Sequence, residues 1–184
     1  MTELDALAEE VGTSGRTLRR AAARGAIRCR RLSERRIVVP PSEYDYIRRH
    51  WLLFDRLLGE LRTQPNVPLA VLFGSVARGE EDAASDLDLL VALRRDGSGP
   101  RADARERLEA AAGGRRVQVV GLGEAKASPL LLADILRDGR VLVDRDGEWP
   151  KLKRRERAIQ QQAREADRRL HEEAWAALEH LDSE

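Results

Sequence analysis

Apolar positions along the 184 residues follow two periods. At 3–4 spacing, Leu4, Leu7, Ala8 and Val11 make one buried helical face, and Leu18, Ala21 and Ala22 make a second. Gly12 and Gly25 close these runs, and Thr13 or Ser14 stands where the second helix needs a cap. Short segments at 26–31 and 35–39 predict a two-stranded hairpin around a polar turn. Tyr46 or Ile47, then Trp51, Phe54, Leu57, Leu58 and Leu61, predict a helix over 42–62 whose aromatics pack in a core. The continuous apolar run 69–73 predicts a buried strand, and 85–91 a second. Further along come a helix at 101–112 behind breakers at 96–100, a strand at 115–122, a helix at 129–137 and a strand at 140–144. One long helix over 151–184 follows. Its narrow Ala-rich stripe suits another helix, in cis or in a dimer.

The chemistry concentrates in residues 68–93. The first strand ends in Gly74-Ser75, and the second opens on Ser85-Asp86-Leu87-Asp88. Strand side chains alternate, so Asp86 and Asp88 share a face. Paired carboxylates repel unless a cation lies between them, and Mg²⁺ bridging to phosphates is the common partner. Gly74 permits close backbone approach, and Ser75 adds a hydroxyl and an N–H, the components of a phosphate cradle.

The succession Gly74-Ser75, Arg78-Gly79, Ser85-Asp86-x-Asp88 resembles the signature of the DNA polymerase beta-type nucleotidyltransferases, most closely the small prokaryotic minimal members. The resemblance implies an α/β (α+β) core with a small mixed sheet. It implies Mg²⁺ on Asp86 and Asp88, with ATP or another NTP held by Gly74, Ser75, Arg78 and Ser85. It also implies transfer of a nucleotidyl group, AMP from ATP, to a protein or RNA acceptor. Several relatives act as antitoxins paired with a toxin, so a toxin partner enters as an expectation. The family's third acid, a metal ligand and general base, aligns with Gln118, which cannot take a proton. Glu124 follows close behind and Glu109 precedes. Two readings therefore stand: a working transferase, or a catalytically weak or inactive, nucleotidyltransferase-like, DNA-binding transcriptional regulator.

Composition adds a second function. Net charge is +1, but residues 16–36 hold nine arginines against Glu34 alone. Residues 7–20 resemble a helix-turn-helix with 14–24 as recognition helix, and the hairpin resembles a wing. Arg16, Arg19, Arg20, Arg24, Arg35 and Arg36 are the candidate DNA contacts. Helix-turn-helix proteins often dimerise, so a homodimer is a further expectation. The organisation read from this is a winged helix-turn-helix at 1–41, a connecting helix at 42–64, a nucleotidyltransferase domain at 65–149 and a C-terminal helix at 150–184. Cys29 is the only cysteine, which precludes an intrachain disulfide and fits a reducing cytoplasm. The sequence has no membrane-spanning apolar run.

Overall fold

The first two helices are α1 (Glu3–Glu10) and α2 (Gly15–Arg24). Ser14 caps α2, its hydroxyl accepting from the Thr17 N–H at 3.1 Å, and Gly25 ends it with φ +92°. In this computed structural model the described residues are 3–31, 37–82 and 84–181. The hairpin strands β1 (Arg30–Arg31) and β2 (Ile37–Val38) pair antiparallel, Arg30 opposite Val38. Residues 32–36, with Arg35, Arg36 and the polar turn expected there, lie outside the described residues.

Helix α3 (Pro41–Thr63) buries Tyr46, Ile47, Trp51, Phe54, Leu57, Leu58 and Leu61. Then come β3 (Leu69–Phe73), α4 (Gly74–Arg78), β4 (Leu87–Ala92), α5 (Ser98–Ala111), β5 (Val117–Gly121), α6 (Leu122–Ala127), α7 (Pro129–Asp138) and β6 (Arg140–Asp144). The four strands form a mixed sheet in the order β5-β4-β3-β6, parallel only between β4 and β5. Such a parallel pair needs a crossover, and α5 supplies it.

The two faces of the sheet carry separate apolar clusters. Ala70, Leu72, Leu87, Leu89, Val91 and Val117 pack with α3, α5 and the N-terminal helices in one continuous core. Leu69, Val71, Phe73, Leu90 and Val120 pack against the α6–α7 side and the C-terminal helices. Arg145 closes α3 by donating to the Leu61, Gln64 and Val67 carbonyls at 2.6–2.8 Å.

Three local expectations need correction. Helix α5 begins at Ser98 rather than 101, because Pro100 falls in its first turn, where no intrahelical N–H is needed. The strand expected to reach residue 122 ends at Gly121, and Leu122 opens α6 instead. The single C-terminal helix is two, α8 (Glu148–Arg154) and α9 (Glu156–Leu181), divided at Arg155. Asp144 fixes the start of α8 by accepting from the Glu148 and Trp149 N–H groups, and Lys153 reaches the Leu136 carbonyl. α9 packs on α7, with Ile159 and Ala163 buried.

Candidate functional site

The site forms where β3 ends. Its last residue, Phe73, is paired with Asp88, and the chain turns at Gly74, whose φ of +75° favours glycine. A Cβ built on Gly74 collides with the Asp88 Oδ2 and comes 3.1 Å from its Cγ. The carboxylate of β4 thus sits directly on the glycine–serine turn. Asp86, just before β4, has the same strand parity as Asp88 and a side chain 34% exposed. Burial raises the Asp88 pKa above the ordinary aspartate range. The Asp86 charge adds to the rise, and Arg78 opposes it. Asp88 has no hydrogen-bond or ion-pair partner among the described residues, so Arg78 offsets its charge only at longer range.

The other expected residues lie on the glycine–serine turn, on the helix it opens or on the loop beside it. Ser75 is half-buried in the first turn of α4. Arg78, at the other end of α4, donates to Glu80 at 2.6 Å and Asp138 at 3.4 Å, which ties the loop to α7. Ser85 exchanges hydrogen bonds with Asp82, accepting its N–H at 3.0 Å and donating to Oδ1 at 2.8 Å. It therefore builds the turn that delivers Asp86.

Gln118 stands in register with Asp88 on the neighbouring strand and is exposed. Neither nearby acid replaces it. Glu109 accepts the Val117 N–H at 3.1 Å, and Glu124 lies 3.6 Å from Arg101. Among the described residues, no three His, Cys, Asp or Glu side chains converge to hold a metal. Two acids remain, a donor set that fits one hard divalent cation completed by ligand oxygens and water.

Beneath the cradle runs a buried polar linkage that the sequence reading missed. Arg140, 1% exposed, pairs with Glu43 through both guanidinium Nη atoms. Its Nε donates to the Ala77 carbonyl at 2.7 Å and its Nη1 to the Ala26 carbonyl at 3.2 Å. The guanidinium lies 3.4 Å from the Tyr46 ring centroid, and the Tyr46 hydroxyl donates to the Val76 carbonyl at 2.9 Å. Arg28 adds bonds to the Ala77 and Asp138 carbonyls. The last carbonyls of α4 are thus held by α3, β6 and the segment after α2, in addition to the capping Gly79 N–H on Val76. The only sequence signal was an acid, Glu43, on the buried side of an amphipathic helix.

The N-terminal arginines of α2 differ in their surroundings. Arg16 and Arg20 are exposed, and Arg19 pairs with Asp5 at 2.6 Å. Arg24 is half-buried, and its pKa is lowered by that burial, with Arg62 and Arg20 adding repulsion.

Residues 56–148 match the family described as polymerase beta, nucleotidyltransferase. The chain belongs to this family. Solved structures of similar fold come from toxin–antitoxin complexes. One, determined with AMP-PNP, is 20% identical with a TM-score of 0.54, covering 66% of this chain and 98% of its own. Another, the MntA–HepT pair, is 19% identical with a TM-score of 0.51, covering 68% and 98%. A third contains a tri-AMPylated Shewanella oneidensis HEPN toxin bound to an MNT antitoxin, again 19% identical with a TM-score of 0.51 and the same coverage, 68% and 98%. At these identities the likeness establishes the nucleotidyltransferase fold. A comparison with curated proteins gave no match. Among the described residues, no helix is long and apolar enough to cross a membrane.

Proposed function

We propose that this nucleotidyltransferase-family chain binds a Mg²⁺-nucleotide and transfers AMP from ATP to a hydroxyl of a protein or RNA acceptor. The observation that carries this is the seating of the Asp88 carboxylate against Gly74, with Asp86 beside it. Asp86 and Asp88 would hold the cation, which when bound neutralises charge on the phosphates. Gly74 and Ser75 hold the phosphate tail through the free N–H groups of the turn, and the Ser85–Asp82 turn fixes Asp86. Arg78 braces the loop from α7. The acceptor oxygen forms a bond to the α-phosphorus, the bond to the β-phosphate oxygen breaks, and pyrophosphate leaves. Gln118 can hydrogen-bond the attacking hydroxyl but cannot take its proton, which passes to water.

The neighbours in toxin–antitoxin complexes support a toxin as the acceptor and partner. The two N-terminal helices and hairpin, with Arg16 and Arg20 outward, support a winged helix-turn-helix that binds DNA in a cytoplasmic protein, as a homodimer on paired half-sites.

Labelled ATP decides the central point. Transfer of label to an acceptor, lost in Asp86→Asn, is the expected result; wild-type protein that never transfers label overturns the enzyme. A second reading then applies, favoured by Gln118: a regulator that binds Mg-ATP without turnover. Its DNA affinity must fall steeply with salt, in proportion to the phosphates contacted.

A further inference from the structure

Beside the acid pair, on the β5 side, a cavity of about 390 Å³ opens between the free edge of β5 and the first turns of α5. Asp86, Ser98, Arg101, Arg105, Arg116 and Gln118 line it. Its positive charge is not fully balanced among the described residues. Arg101 is neutralised by Asp96 at 3.0 Å and Glu124 at 3.6 Å, and its guanidinium lies against Gly121, so it forms a wall. Arg105 is exposed and has no ion-pair partner among the described residues. Arg116 has only Asp86, at 3.8 Å, beyond hydrogen-bond reach. A cation on Asp86 would release Arg116 altogether. The Gln118 amide and the Ser98 hydroxyl supply neutral donors on either side.

We propose that this cavity is an anion subsite in which Arg105 and Arg116 take a phosphate group of a ligand positioned at Asp86 and Asp88. The geometry favours phosphate because two guanidinium groups and an amide line one cavity beside the proposed cation site, and phosphoryl oxygens can accept from all of them. The phosphate belongs either to the donor nucleotide or to a phosphate-bearing acceptor. The placement beside Asp86 rests on the nucleotide reading above, whereas the anion affinity of the cavity does not.

The test is titration calorimetry of the full chain with inorganic pyrophosphate, without divalent cations. Wild type is compared with Arg105→Ala/Arg116→Ala and with Arg16→Ala/Arg20→Ala. Loss of charged hydrogen-bond donors is expected to weaken binding about tenfold in the first variant and to leave the second unchanged. Equal affinity in wild type and the Arg105/Arg116 variant, or loss only in the Arg16/Arg20 variant, overturns the subsite. All four side chains are exposed, and a melting curve verifies folding of each variant.

Two further arms locate the phosphate. Weaker Mg–AMP-PNP binding in the Arg105/Arg116 variant assigns it to the donor. Unchanged Mg–AMP-PNP binding, with weaker capture of a short 3′-hydroxyl oligonucleotide on the nucleotide-loaded protein, assigns it to an acceptor. Wild type that binds pyrophosphate but not Mg–AMP-PNP sinks the nucleotide reading while the pyrophosphate comparison still judges the subsite.

Discussion

Gly74 and Asp88 occupy each other's space: the carboxylate of β4 fills the position where any other residue at 74 would carry its Cβ. Gly74→Ala must therefore move Asp88 and also hold an L-residue at φ +75°, a conformation that costs roughly 1–2 kcal/mol. The expected outcome is a small fall in melting temperature, roughly 2–4 °C per kcal/mol for a chain of this size, with complete loss of Mg-dependent nucleotide binding. Calorimetry and equilibrium titration read the two effects separately. Retained nucleotide affinity would remove Gly74 from the site.

The sign of the Asp88 shift leads to a metal-linked prediction. Its native pKa lies above the ordinary aspartate value because burial disfavours the charge and Asp86 repels it. The native state therefore holds this proton more tightly than the unfolded chain. In the absence of metal, that contribution is present at low pH and is lost as pH rises through the native pKa. Asp88→Asn should then melt higher than wild type at neutral pH without Mg²⁺. Adding Mg²⁺ should raise the wild-type melting temperature and leave the variant where it was. A variant that melts lower in metal-free buffer would contradict this.

Arg140 and Glu43 form the opposite kind of pair, buried and fully engaged. Removing one partner strands a charge in the core, which costs about 3–5 kcal/mol. Glu43→Ala should lower the urea midpoint accordingly, whereas Glu43→Leu with Arg140→Met should recover part of the loss. Additive losses in the double variant would mean the two side chains are energetically independent.

Acid should unfold the protein through a defined set of carboxylates. Asp138 is pushed up by burial, but Arg137 and Arg78 outweigh this and hold it below the usual range. Burial likewise raises Glu81, but the His50 hydrogen bond, a backbone hydrogen bond and the attraction of His50 and Arg49 together outweigh it. Their stabilisation is present above the unfolded values, about 3.9 for Asp and 4.3 for Glu, and is lost as pH falls toward the lowered native values. Urea midpoints measured downward from neutrality should begin to fall near pH 4 to 5. Asp138→Asn should flatten that limb, and an unchanged slope would remove Asp138 from the set.

Gln118 offers a gain-of-function test. It stands beside Asp88 in register, so Gln118→Asp would place a third carboxylate at the proposed cation site and supply a base. Nucleotidyl transfer is expected to rise by about 10²–10⁴, and bound Mn²⁺ per chain should increase by electron paramagnetic resonance. No change in either would mean the β5 position does not face the reacting groups.

Much of the site was legible along the chain because its parts are local. Gly74-Ser75 directly follow β3, and Asp86-x-Asp88 span the start of β4, its antiparallel partner, so the pairing of two strands close in sequence brings them together. The stops at Gly12 and Gly25 and the Ser14 cap likewise depend on neighbours a few residues away. The break at Arg155 carried no such signal. It follows from where α8 is capped by Asp144 and where α9 must lie to reach α7.

The amino-acid order determined the strand–turn–strand unit, the acid pair and the absence of a third acid, since each is a matter of residue type at short, fixed spacing. Only the folded chain decided that Arg140 would join Glu43, Ala26 and Ala77, residues 63 to 114 positions away from it along the chain. It alone also decided that Arg105 and Arg116 would face one cavity. Long-range pairing depends on how the layers pack, and side-chain spacing along a helix or strand carries no record of the partner across the core.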